Sequence, residues 1–269
     1  MRKINAEIIS IGNELLSGLT TNSNASFIGE KLSEIGIKIS RIVTISDIPI
    51  EIKKSLQAIE ESTQIIIVTG GLGPTPDDLT KNTIAEFFNT KLVLHKETLL
   101  WIKKLFEGRG MKMPDINHDQ AMVPANAKVI QNKFGTAPGL EIEQNEKTYY
   151  FLPGVPYEMK NLISTAVIEG IQSKYAPSSE DVHIFRTNGL AESKLFEKIR
   201  EVLDSNSNKY TIAFLPKTSG VDLRIKSKAG QKLKQGFLEQ IRNNIVENIY
   251  SETEDSLPEI IGSLLIERN

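Results

Sequence analysis

The chain of 269 residues is long enough for one large domain or two modest ones, and its 39% hydrophobic and 25% charged residues are ordinary for a packed globular protein. A net charge of −2 points neither to nucleic acid nor to an anionic membrane, and no apolar run approaches the ~20 residues of a membrane span. The absence of cysteine excludes disulfides, thiolate metal sites and a cysteine nucleophile, and Met1–Asn5 carries no signal-like apolar stretch, so a cytoplasmic location is expected.

Residues 6–11 are apolar and β-rich and end at Gly12, which predicts a first strand. The turn Gly12-Asn13-Glu14-Leu15-Leu16-Ser17-Gly18 and the cap-rich Thr20-Thr21-Asn22-Ser23-Asn24 lead into Ala25, Ile28, Leu32 and Ile35, a helix that Gly36 stops. Residues 37–45 alternate as a second strand. Residues 49–62 read as a helix with Ile52, Leu56 and Ile59 inward and Pro49 in its first turn. Ile65-Ile66-Ile67-Val68 reads as a buried strand, and Ile84, Phe87 and Phe88 have helical spacing. This β-α-β-α-β-loop-α order predicts a parallel sheet with helices on both faces.

Short strands are expected at 91–94, 127–130 and 139–142, with a helix over 96–108 and a loop over 110–118. A strand at 147–152 runs into Pro153-Gly154-Val155-Pro156 and a helix over 157–174. Ala176-Pro177-Ser178-Ser179 reads as a linker. The pattern then restarts: a strand at 182–187, a helix over 190–203, a strand pair at 211–215 and 221–228, and a helix over 231–248. Residues 257–267 form a last short amphipathic segment.

Thr69–Thr80, Thr-Gly-Gly-Leu-Gly-Pro-Thr-Pro-Asp-Asp-Leu-Thr, is the strongest functional signal. It lies between a buried strand and a helix, where open α/β sheets bind ligands. Gly70, Gly71 and Gly73 let backbone amides approach an anion, and Asp77 and Asp78 suit a cation that neutralises it. The loop is no Walker A motif, since no Gly-Lys-Ser/Thr follows, and Pro76 stands where a dinucleotide fingerprint needs its third glycine. Glu14 and Asp47, in the turns after the first two strands, share that sheet edge, yet each reads equally well as an exposed helix-entry or turn residue. Gly135-Thr136-Ala137-Pro138-Gly139 is a donor-rich turn that alone reads as a hairpin loop; Pro153, Gly154 and Glu158 offer a further wall or mere helix punctuation. His95, His118 and His183 have no paired metal-ligand spacing. The basic run Arg224, Lys226, Lys228, Lys232 and Lys234 reads as a solvated face, which argues against nucleic acid.

Taken together with Asn22 and Asn24, Asn117–Ala121, Leu152–Met159 and Gly189-Leu190-Ala191-Glu192-Ser193, these motifs resemble the CinA (competence-damage-inducible) family over nearly the whole chain. The resemblance implies an α/β fold: a three-layer αβα molybdopterin-binding-like domain with a mostly parallel sheet over 1–175, a small α+β (KH-like) domain over 177–253, and a short C-terminal helix or linker over 254–269. It implies metal-dependent hydrolysis of the pyrophosphate of ADP-ribose or a related dinucleotide, with a divalent metal (Mg, Mn or Co) and K+. Asp78, Asp47 and Glu14 would be catalytic, with Asp78 and Asp77 on the metal. Asn24, Gly70, Gly71, Gly73, Thr75, Thr80, Gly135, Thr136, Ala137, Pro138, Gly139, Pro153, Gly154 and Glu158 would hold a small-molecule nucleotide substrate. The resemblance also implies a homodimer. The family's C-terminal nicotinamide-mononucleotide amidohydrolase hallmark, Ala-Glu-Ser-Cys-Thr-Gly-Gly, is absent, so deamidation is not expected of this chain. The alternatives are a non-catalytic pterin- or nucleotide-binding protein, or a competence-associated binding protein.

Overall fold

The computed structural model describes residues 4–73, 79–177, 181–206, 208–218, 220–228, 231–253 and 257–267. The chain divides into two compact units, Met1–Pro177 and Ser178–Asn269.

In the first unit β1 (Asn5–Ile11), α1 (Asn13–Leu16), α2 (Ser23–Glu34), β2 (Lys38–Ile45), α3 (Pro49–Gln57), β3 (Ile65–Thr69) and α4 (Thr80–Phe87) follow the expected alternation. They are followed by β4 (Leu92–Leu94), α5 (Lys96–Glu107), a 3-10 turn (Asp115–Ala121), β5 (Met122–Pro124), β6 (Lys128–Ile130), β7 (Gly139–Gln144) and β8 (Lys147–Leu152). The unit closes with α6 (Pro156–Leu162), a π-helical turn (Ile163–Val167) and α7 (Ile168–Tyr175).

The main sheet has six strands in the order β2-β1-β3-β8-β7-β6. Its first four are mutually parallel, while β7 and β6 run antiparallel to their neighbours. Side chains alternate across a strand, and β3 shows what that does here. Ile65 and Ile67 join Ala6, Ile8 and Tyr150 beneath Ile28 and Leu32 of α2 and Met159 and Ile171 of the α6–α7 segment. Ile66 and Val68 face the other way, with Ile9 and Phe151, beneath Ile52 and Leu56 of α3 and Ile84 of α4. The result is three layers with a core on each face of the sheet.

Three expectations are corrected. The helix at 49–62 stops at Gln57, because the buried Glu7 takes the chain that follows. Its carboxylate accepts from the Glu60 N–H at 3.0 Å and from the Thr63 hydroxyl at 2.8 Å, and it pairs with Arg41 at 2.6 Å. A buried charge needs such partners, and they outweigh continued helix. The sheet is mostly parallel, as the family resemblance implies, but not wholly so as the element order alone predicts, since two residues join β7 to β8, too few for a crossover. Strand β5, absent from the sequence reading, pairs with β4 in a separate ribbon.

The second unit comprises β9 (Val182–Thr187), α8 (Glu192–Asp204), β10 (Tyr210–Lys217), β11 (Gly220–Ser227), α9 (Gln235–Ile245), a 3-10 turn (Val246–Asn248), β12 (Ile249–Ser251) and α10 (Leu257–Glu267). Its sheet, order β10-β11-β9-β12, is antiparallel throughout. Leu195 and Ile199 of α8 and Ile241 and Ile245 of α9 pack over Phe185, Leu223 and Ile225. The helix expected over 231–248 is shorter, and β12 after it adds an edge strand. Glu252 holds that edge through Arg242, at 2.6 and 2.7 Å, and His183, at 2.7 Å. No described helix is long and apolar enough to cross a membrane.

Candidate functional site

The parallel strands β2, β1, β3 and β8 end along one edge, and the chain leaves β1 toward β2 on one side and returns to β3 on the other. That reversal is a switch point, where the turns after neighbouring strands part and leave a crevice. The crevice here has a volume of about 200 Å³ and is lined by the turn after β1, the start of α2, Thr69 and Gly154.

Asn24 organises it. Its side-chain amide donates to the Gly154 carbonyl at 2.8 Å and to the Thr69 hydroxyl at 3.3 Å, and Thr69 in turn donates to the Pro153 carbonyl at 2.9 Å. The turns after β3 and β8 are thereby tied to α2. The Asn24 Oδ1 atom is buried and has no hydrogen-bond partner among the described residues. Asn22 caps α2 through the Ala25 N–H, while Ser10 and Thr44 fix its amide. Glu14 is exposed on the crevice wall, its carboxylate curled over Gly12, and Asp47 accepts from the Asn13 amide at 2.5 Å.

The turn after β3 explains two of its glycines. Gly70 has φ +114, and a Cβ there would lie 2.1 Å from the Ile11 carbonyl oxygen. Gly71 has φ +65, and a Cβ there would lie 2.0 Å from the Thr80 hydroxyl. Only glycine lets the chain turn this tightly against β1 and α4. The Gly70 amide is used by the Leu152 carbonyl. Those of Gly71 and Gly73 make no hydrogen bond among the described residues. The Thr80 hydroxyl, in the first turn of α4, is buried with no hydrogen-bond partner among the described residues. Thr75, Asp77 and Asp78 lie outside the described residues.

Residues 135–139 do not line this crevice. Gly135, Thr136 and Pro138 line a second cavity of about 200 Å³ with the start of α5. Their turn is wound around Asn132, whose Oδ1 accepts from the Phe134 and Gly135 amides at 3.0 and 3.1 Å and whose Nδ2 donates to the Ala137 carbonyl and, at 2.6 Å, to Glu158. The Gly135 amide, expected to hold phosphate, is therefore committed. Gly139 opens β7 and packs against Ile130 and Leu162. Burial pushes the Glu158 carboxyl above the usual carboxylate range, against the Asn132 hydrogen bond, which lowers it.

The sequence reading omitted Asn132, Thr69 and Lys81 from the site. Asn132 had a signal, an Asx residue just before a Gly-rich turn. Lys81 directly follows Thr80, is 7% exposed and donates to the Asp119 carbonyl. No group of three acidic or histidine side chains that would bind a metal occurs among the described residues. Glu14 and Asn24 at the crevice carry hard oxygen donors, the type that suits a hard divalent cation.

Two family models match the chain: "Probable molybdopterin binding domain" over residues 7–172 and "Damage-inducible protein CinA KH domain" over residues 183–251. CinA-like proteins of Dictyoglomus turgidum and Kosmotoga olearia are 39% and 41% identical across 97% of the chain, which spans 64% of the length of each. A crystal structure of the CinA protein of Thermoplasma acidophilum, described as of unknown function, superimposes with a TM-score of 0.56 at 33% identity, covering 64% of this chain and 98% of that one. The chain belongs to the CinA family, with a molybdopterin-binding-type domain ahead of the CinA KH domain.

Proposed function

We propose that the switch-point crevice is the active site of a divalent-metal-dependent hydrolase that cleaves the pyrophosphate of ADP-ribose or a related dinucleotide. One observation carries this reading: at this sheet edge the amides of Gly71 and Gly73 and two buried oxygens, Asn24 Oδ1 and Thr80 Oγ1, have no hydrogen-bond partner among the described residues. A structural turn satisfies its polar atoms, whereas a site for a pyrophosphate and its counter-cation leaves them open. Asp78, with Asp77, would be the principal ligand of the cation, and Asp47 and Glu14 would assist. When bound, the cation supplies Lewis acidity toward the phosphoryl oxygens. The chain's own groups do the rest. The Gly71 and Gly73 amides, beside the start of α4, orient the pyrophosphate and stabilise the negative charge that builds on its oxygens. Glu14, exposed on the crevice wall, would take a proton from the attacking water. Water adds across the P–O–P link, so ADP-ribose would yield AMP and ribose 5-phosphate.

The test is turnover of a panel of dinucleotide pyrophosphates with Mg, Mn and Co, and with chelator. Asp78→Ala is expected to lose about 10²-fold or more in kcat with unchanged circular dichroism. Undiminished ADP-ribose hydrolysis by that variant overturns the assignment. A non-catalytic pterin or nucleotide carrier is the second reading, favoured by the description of the matching domain model. Recovery of intact ADP-ribose after calorimetric binding would favour it.

A further inference from the structure

The second cavity is built from the start of α5 and the turn between β6 and β7. From these observations we infer that it is a subsite for one flat heteroaromatic ring, a nucleobase or a pterin. The inference deepens the proposed function, since that ring would be one end of the molecule whose pyrophosphate occupies the crevice.

Size speaks first. A volume of about 200 Å³ falls below the roughly 300–1,000 Å³ of pockets for whole drug-sized ligands. It suits a single ring system and excludes a dinucleotide. Charge speaks next. Among the described residues no Lys or Arg lines the cavity, so it is unlike a phosphate site, and Glu97 is the one carboxylate that does.

The lining then supplies a flat surface and polar edges. Trp101 adds an indole to the lining, and its Nε1–H is buried with no hydrogen-bond partner among the described residues. Trp N–H groups buried in proteins usually find an acceptor, and none of the described residues supplies one here. His95 caps α5 by accepting the Thr98 N–H at Nδ1, 3.2 Å away. In the neutral ring that assignment puts the proton on Nε2, a second donor. Gln131 and Thr136 add an amide and a hydroxyl at the rim. Aromatic wall plus mixed donors and acceptors is the chemistry that reads a purine or pterin edge, and stacking supplies sequence-tolerant affinity.

Connectivity completes the argument. Asn132 and Gly135 line this cavity, and behind them Glu158 occupies the space a Gly135 side chain would need. Glu158 belongs to the first turn of α6, which begins two residues after Gly154 in the crevice. The start of α6 thus borders the crevice through Pro156 and backs the lining of the second cavity through Glu158.

Trp101 is the only tryptophan in the chain, so its fluorescence reports occupancy directly. Adenosine and unsubstituted pterin, neither carrying phosphate, are titrated separately into the full chain without metal. A saturable change in Trp101 emission below about 5 mM ligand, reversed by neither pyrophosphate nor phosphate, is expected for at least one ring. Response to adenosine alone names a nucleotide end, and response to pterin alone names a pterin end. Thr136→Phe, which fills the cavity, is expected to weaken that binding at least about tenfold. No saturable change with either ring, or unaltered affinity in a folded Thr136→Phe, overturns the inference. The wild-type titration decides alone if the variant does not fold. Ring binding without ADP-ribose turnover would sink the proposed function but not the subsite, and turnover without ring binding would do the reverse.

Discussion

Glu158 shows how one side chain couples the stability of the site to pH. Burial raises its pKa in the folded protein above the ordinary 4.5, so near that pH the folded state binds more protons than the unfolded chain. The contribution of this carboxyl to stability is then greatest below about 4.5 and falls as pH rises through the raised folded value, above which its whole penalty is present. Glu158→Gln removes the charge yet keeps an oxygen to accept from Asn132 Nδ2. Urea denaturation across this range should show the wild-type midpoint falling relative to that of Glu158→Gln as pH rises. A profile of equal slope in the variant would mean that burial of this carboxyl carries no net penalty. Asn24 makes the complementary point. Its amide hydrogens tie two turns together while its oxygen stays unpaired, so a residue that positions the crevice also offers it a free acceptor. From sequence, Asn24 reads first as one of several polar residues at a helix start, and only the family resemblance singles it out.

At the scale of elements, two glycines that look alike in sequence have opposite consequences. Gly70 sits at φ +114 with the Ile11 backbone carbonyl where its Cβ would be. Neither backbone can move without breaking the β1–β3 pairing, so Gly70→Ala should cost about 3 kcal/mol in urea denaturation. Gly12 is extended, at φ 165, and a Cβ there meets only the end of the Glu14 side chain. Gly12→Ala should therefore stay within about 0.5 kcal/mol of wild type, while swinging Glu14 away from the crevice. Equal losses in the two variants would contradict this account of the turn. The same contrast explains what was legible beforehand. Runs such as Ile65–Val68 and the Ala25-Ile28-Leu32 spacing announce their elements because burial on a fixed face demands a fixed period. The antiparallel return of β7 into β8 was missed because its two-residue turn is Asn145-Glu146, both at positive φ, with no glycine to mark it. The end of α3 was missed because its cause, Glu7, lies some fifty residues earlier. Which loops meet at the site depends on strand order, and a periodic pattern carries no information about that. Hence Gly135, Thr136 and Pro138, grouped in sequence with the other residues expected to hold the substrate, line a cavity apart from the crevice.

At the scale of the molecule, the chain holds two sets of cores that share no residue. Those on the faces of the six-stranded sheet draw only on residues before Pro177, and the third draws only on residues from Phe185 onward. A lesion in one set should therefore be felt locally. Ile225, fully buried in β11 beneath α8 and α9, is a suitable lesion, and Ile225→Ala should cost the second unit about 3 kcal/mol through lost burial and the cavity left behind. Two signals separate the units. Trp101 fluorescence reads the first alone, because no tryptophan lies in the second, whereas far-UV circular dichroism reads both. On heating, the variant should lose part of its dichroism several degrees earlier than the wild type, with the Trp101 transition unmoved. ADP-ribose turnover measured below that early step should match the wild type, since every group assigned to the crevice and the ring cavity precedes Pro177. If the Trp101 transition instead moves with the dichroism, folding of the two units is one cooperative event and the second is part of the scaffold of the site.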